Sequence, residues 1–159
     1  AIAGALRQRQ VPGVRDIVPT YRSVAVHIDP LATDMVDLDE AIRASLAAQA
    51  DRHVGQRHEI PVAYGGTHGP DLVPLAASLG LTPAQLVGLH TDRAYRVYML
   101  GFLPGFGYLG TLDARIEAPR HDRPRLRVPA GSVALAGRQT GIYPQASPGG
   151  WQGYLARHD

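Results

Sequence analysis

Between residues 119 and 143 the chain gathers side chains able to hold an anion or an amide. Arg120, Arg125 and Arg138 carry guanidinium forks, and Pro119, Pro124 and Pro129 stiffen the intervening turns. Gln139, Thr140 and Tyr143, set around Gly141, add an amide, a hydroxyl and a phenol that both donate and accept. A rigid, donor-rich rim of this kind suits a carboxylate, amide or phosphate ligand. Each arginine can instead cap a loop or pair with Asp113, Glu117 or Asp122. Upstream, the apolar run Gly101-Phe102-Leu103-Pro104-Gly105-Phe106 reads either as a ligand wall with Phe102 and Phe106 exposed or as an aromatic plug.

Other chemistries are excluded by residue type. The chain of 159 residues has no cysteine, lysine or asparagine, and its 16 basic residues are all arginine. A thiolate nucleophile, cysteine-ligated zinc, a phosphate-loop lysine and a Schiff-base lysine are therefore not available from it. The closest histidines, His53 and His58, are five apart and off the i, i+4 face of a zinc helix, so no metal site is expected. Gly105-Phe-Gly-Tyr-Leu-Gly110 fits the dinucleotide pattern G-x-G-x-x-G, but residues 111–119 have no helical face to receive a pyrophosphate. No Gly-x-Ser-x-Gly elbow occurs.

A net charge of +2 gives no reason to expect nucleic acid, and no apolar run is long enough to span a bilayer. A cytoplasmic protein is the expectation. The charge is uneven, about −2 over residues 1–80 and +4 over 81–159, which fits two regions with different tasks. The chain starts at Ala1, and further residues are expected at both ends.

The elements that must position these groups follow from period and punctuation. Residues 22–28 alternate as a strand, and Met35, Leu38, Ala41, Ile42 and Leu46 define a helical face opening at Thr33-Asp34. The polar stretch 51–59 separates an N-terminal α/β domain, residues 1–54, from a second domain, 55–159. There, Ile60–Tyr64 reads as a strand, Asp71 opens a helix ending at Gly80, and Thr82-Pro83 opens another reaching His90. Beyond Tyr95 the period becomes that of strands, at 95–102, 125–128, 132–136 and 141–143, with frequent Gly and Pro, as in a β-barrel or sandwich. The fold class is α+β.

Ile60-Pro-Val-Ala-Tyr-Gly-Gly66, Gly101-Phe-Leu-Pro-Gly-Phe106, Pro119-Arg120, Pro124-Arg125, Val128-Pro-Ala-Gly-Ser-Val133, Gln139-Thr-Gly-Ile-Tyr-Pro144 and Ser147-Pro-Gly-Gly-Trp151, in this order, resemble the family of allophanate hydrolase subunit 1 and the 5-oxoprolinase B subunit. That family also includes a carboxyltransferase domain of urea carboxylase and a sporulation kinase inhibitor. The resemblance implies a small N-terminal α/β domain followed by a cyclophilin-like β-barrel. It implies a second cyclophilin-like subunit, with a third subunit in the oxoprolinase, and ATP used by the assembled complex to open 5-oxoproline to glutamate. Hydrolysis of allophanate is the related possibility. This chain has Phe106-Gly107-Tyr108-Leu109 where the family pattern reads Phe-Pro-Tyr-Leu.

In an enzyme subunit, Arg120, Arg125 and Arg138 would bind carboxylate or phosphate, while Gln139, Thr140 and Tyr143 would orient the amide. His90 and Tyr143 are the catalytic candidates, with a helix-capping role for His90 equally open. The alternative from a different class is a non-catalytic inhibitor of a sensor histidine kinase, anchored by Phe102 and Phe106.

Overall fold

The computed structural model describes residues 2–47 and 55–157, and side chains are described as far as Gln152. The chain divides into two compact units, residues 1–58 and 59–159. Residues 51–54 of the polar stretch lie outside the described residues.

In the first unit, α1 (Ile2–Gln8) precedes a hairpin of β1 (Val14–Pro19) and β2 (Val24–Ile28), followed by α2 (Met35–Ala47). Asp34 caps α2, its carboxylate accepting from the Val36 amide at 2.7 Å. The hairpin pairs from Val14 opposite Ile28 to Pro19 opposite Val24. Ala3, Leu6, Ile17 and Ala41 form its core, supported by Val24, Val26 and Ile42.

The second unit contains β3 (Ala63–Tyr64), α3 (Leu72–Ser78), α4 (Pro83–Thr91), β4 (Arg96–Leu100), β5 (Gly107–Gly110), β6 (Arg125–Val128), β7 (Ser132–Ala136), β8 (Gln139–Ile142), β9 (Ser147–Gly149) and β10 (Gln152–Arg157). Six strands form one sheet in the order β3-β10-β7-β8-β5-β4, and β6 pairs with β9 in a separate ribbon. Ladder hydrogen bonds do not join β3 to β4, so among the described residues the sheet is open where a barrel is expected. Closure needs an unbroken ring of ladders. Here β3 offers two residues, and β4 leaves Val97, Tyr98 and Leu100 exposed.

Strand β7 is the keel of this unit. All five of its residues are buried, because successive side chains pack into layers on opposite faces. Val133 and Leu135 join Leu72, Leu75, Ala76 and Leu86 of the helices, with Leu112 and Ile116. Ala134 and Ala136 turn to the other face and meet Phe106, Val128, Tyr143 and Trp151.

The helices begin where local chemistry says they should. Thr82 accepts from the Gln85 amide at 3.2 Å while the Gln85 side chain accepts from the Thr82 amide at 2.8 Å, a reciprocal capping box with Pro83 at the first helical position. Thr82→Ala is expected to lower unfolding free energy by about 1 kcal/mol in denaturant titration. Asp71 differs from expectation: it precedes α3 but makes no side-chain cap bond, because its carboxylate is committed elsewhere. Among the described residues no single helix is long and apolar enough to cross a membrane.

Candidate functional site

Strand alternation sorts the expected site residues onto two faces. Gln139 and Gly141 of β8 share one face, and Tyr143 continues it beyond the strand end; Thr140 and Ile142 take the opposite face. Thr140 is consequently buried on the helical side, donating to the Ala134 carbonyl at 3.1 Å and meeting His90 Nε2 at 3.0 Å. His90 Nδ1 lies 2.6 Å from the Tyr64 hydroxyl, and Tyr95 donates to the His90 carbonyl at 2.6 Å.

This arrangement determines what His90 can do. Only 6% of its surface is exposed, and burial pushes its pKa down to about 4, so at neutral pH the ring is uncharged. Its ring nitrogens face Tyr64 and Thr140 and not the carbonyl groups that end α4. Both ring nitrogens already meet hydroxyl groups. Burial also pushes Tyr64 up to about 12, so the pair is a neutral hydrogen-bond bridge between β3 and α4.

On the other face, Phe106 packs edge-on against Tyr108, Tyr143 and Trp151 with ring centroids 5.0, 5.3 and 5.5 Å away. Phe106 is 1% exposed, so of the two readings of this run the aromatic plug holds for Phe106, and a surface wall is left to Phe102. Its ring fills the space that Gly141 leaves, where a Cβ would lie 2.7 Å from Phe106 Cζ. The glycine therefore serves core packing at this spot. Phe102 is 58% exposed and stands 6.2 Å from Tyr143. Its φ of 67° is costly for a bulky residue, and the turn holds it with bonds from Leu103 to Gly101 and from Phe106 to Leu103.

Beneath Phe102, the Tyr143 ring is buried while its hydroxyl has no hydrogen-bond partner among the described residues. Gly149 lets that hydroxyl approach the backbone, since a Cβ there would lie 2.5 Å from the oxygen. Burial raises the Tyr143 pKa above the usual tyrosine value against an opposing pull from Arg120, so the phenol is a proton donor in hydrogen bonds near neutral pH. Arg120 is exposed and has no ion pair among the described residues.

The remaining arginines are occupied. Arg125 grips Asp71 through two bonds of 2.5 and 2.6 Å, fastening the β6–β9 ribbon to the start of α3. None of the acids expected to partner it, Asp113, Glu117 or Asp122, does so in a bond described here; Asp113 instead takes Arg93 and Arg115. Arg138 donates to the Leu112 carbonyl at 3.3 Å. The structure thus brings together Phe102, Tyr143 and the charge of Arg120 on the face that Gln139 shares. It separates them from His90 and Thr140, and it places Arg125 in an ion pair.

Sequence reasoning missed the group around Asp71, which includes His121 with its Nε2 3.6 Å from the carboxylate. The signal was weak: an aspartate before a helix ordinarily signifies a cap.

The model of the carboxyltransferase domain, subdomain C and D, matches residues 1–153. The chain belongs to that family. Within it, the chain is 39% identical over 164 residues to the 5-oxoprolinase B subunit of Bacillus subtilis, covering 96% of this chain and 68% of that one. It is 43% identical over 152 residues to the 5-oxoprolinase B subunit of Escherichia coli O157:H7, covering 93% and 68%. Among solved structures, a crystal structure of TTHA0988 superposes with a TM-score of 0.79 at 40% identity, over 99% of this chain and 31% of that one. The chain thus spans about two thirds of these curated relatives and under a third of that solved chain.

Proposed function

We propose that this chain is the B-type component of an ATP-dependent hydrolase that opens 5-oxoproline to glutamate, with allophanate as the related substrate. It would act with a second cyclophilin-like subunit, and with a third in an oxoprolinase assembly. The observation that carries this reading is the match to proteins named as the 5-oxoprolinase B subunit across more than nine tenths of the chain.

The face of Phe102, Tyr143 and Arg120 suits that chemistry. A guanidinium without an ion pair can receive the carboxylate or a developing oxyanion, and a protonated phenol can donate to the same oxygen. Phe102 supplies an apolar lid, and Gln139 would read the amide. ATP would be handled by the assembled complex, because this chain offers no lysine for phosphate. The kinase-inhibitor alternative keeps Phe102 as its anchor, whereas Phe106 is interior.

The test is co-expression with the partner subunits and measurement of ATP-dependent glutamate release. An intact complex that turns over neither 5-oxoproline nor allophanate overturns the reading. Arg120→Ala is expected to lower kcat/KM about tenfold with the melting temperature unchanged, since the side chain is exposed and has no ion pair to lose. Full activity in that variant would remove Arg120 from the site.

A further inference from the structure

We propose that the hollow beside α3 is a second ligand site, built for a small neutral amide such as a lactam or ureide ring. The choice of an amide rests on the polar edge that Gln152 and Ser78 present to the hollow, independently of the hydrolase reading above, whose substrates are anions. It has a volume of about 400 Å³, and Pro74, Leu75 and Leu79 of α3 and its C-terminal cap wall one side with Pro119 opposite. Those walls accept a compact apolar ring.

The polar groups at the hollow select for neutrality. Asp71 is the charged side chain lining it, and Arg125 already holds both of its oxygens, so an anion entering would find no uncompensated cation there. His121, Ser78 and Gln152 complete the lining. The Gln152 amide offers a donor and an acceptor side by side, the complement of the N–H and C=O edge of a lactam. The Ser78 hydroxyl donates to the Leu75 carbonyl at 2.8 Å, which leaves its lone pairs to accept from a ligand N–H. Two anchors hold the polar rim in place. The His121 amide donates to the Gly150 carbonyl at 2.8 Å, and Gln152 lies opposite Leu135 in the β10–β7 ladder.

The experiment titrates the full chain with 2-pyrrolidinone, a neutral five-membered lactam, and separately with acetate, following backbone amide resonances. The expected result is saturable shifts at Ser78, Leu79, His121 and Gln152 with pyrrolidinone and none with acetate. Ser78→Trp, which fills the mouth from an exposed helix position, should abolish them, and Gln152→Leu should weaken binding about tenfold. Gln152→Leu keeps the test decisive if the tryptophan variant misfolds. Absence of saturable shifts, equal binding of acetate, or unchanged affinity in the folded variants overturns the proposal. Lactam binding without turnover by the assembled complex would remove the oxoprolinase reading and leave this site standing.

Discussion

Lowering the pH from 7 to 4 is expected to withdraw about 3 kcal/mol of stability through His90 alone. An unfolded histidine titrates near 6.5, whereas burial holds the folded imidazole at about 4. Below the higher value the unfolded chain takes up a proton that the folded chain refuses, so each further pH unit costs about 1.4 kcal/mol. The loss stops near pH 4, where the folded ring protonates too. His90's contribution is thus fully present above the unfolded pKa and lost as pH falls towards the folded one. The groups packed on the ring, Tyr64, Tyr95 and Thr140, supply no negative charge at these pH values to soften the effect. His90→Gln keeps a side chain able to meet the two hydroxyls and removes the titration. Urea unfolding of both proteins at pH 7, 5.5 and 4 measures the difference. The histidine protein should lose stability more steeply, and parallel curves for the two would show that the ring is not held neutral.

Much of the second unit is legible in the sequence because its punctuation is local. Strands at 125–128 and 132–136 have the bounds that alternation predicts, and α4 starts at the Thr82-Pro83 signal. What escapes has physical reasons. Seven residues of α1 make fewer than two full turns of apolar period, and β9 and β10 lie on either side of the Gly149-Gly150 junction, where alternation is faint. The expected strand at 60–64 shrinks to Ala63–Tyr64, its pairing supplied by the distant β10. Residues 138–143 look like one contiguous rim, yet a two-residue period on β8 sends Thr140 to His90 and leaves Gln139 facing with Tyr143. A one-residue step along a strand is a change of compartment, so neighbours in sequence are the wrong grouping. The Asp71–Arg125 pair spans 54 positions and leaves no local trace.

That pair carries the second large effect. Asp71→Ala is expected to lower unfolding free energy by about 2 kcal/mol, below the roughly 3–5 typical of a fully buried pair because the Arg125 side chain is 36% exposed and can rehydrate. Removing both partners, as Asp71→Ala with Arg125→Met, should cost less than the sum of the single changes, since neither charge is then stranded. Denaturant midpoints for the four proteins give the coupling. Catalysis separates the two roles that Arg125 could play. If its fork is spent on Asp71, Arg125→Met lowers the melting temperature while the folded complex keeps its KM for 5-oxoproline, in contrast to Arg120→Ala. If Arg125 leaves Asp71 to grip the substrate carboxylate, KM rises at least about tenfold in Arg125→Met, while the coupling in the substrate-free stability cycle is unchanged. An at least about tenfold loss of affinity in the folded Arg125→Met complex would move Arg125 from the scaffold into the site.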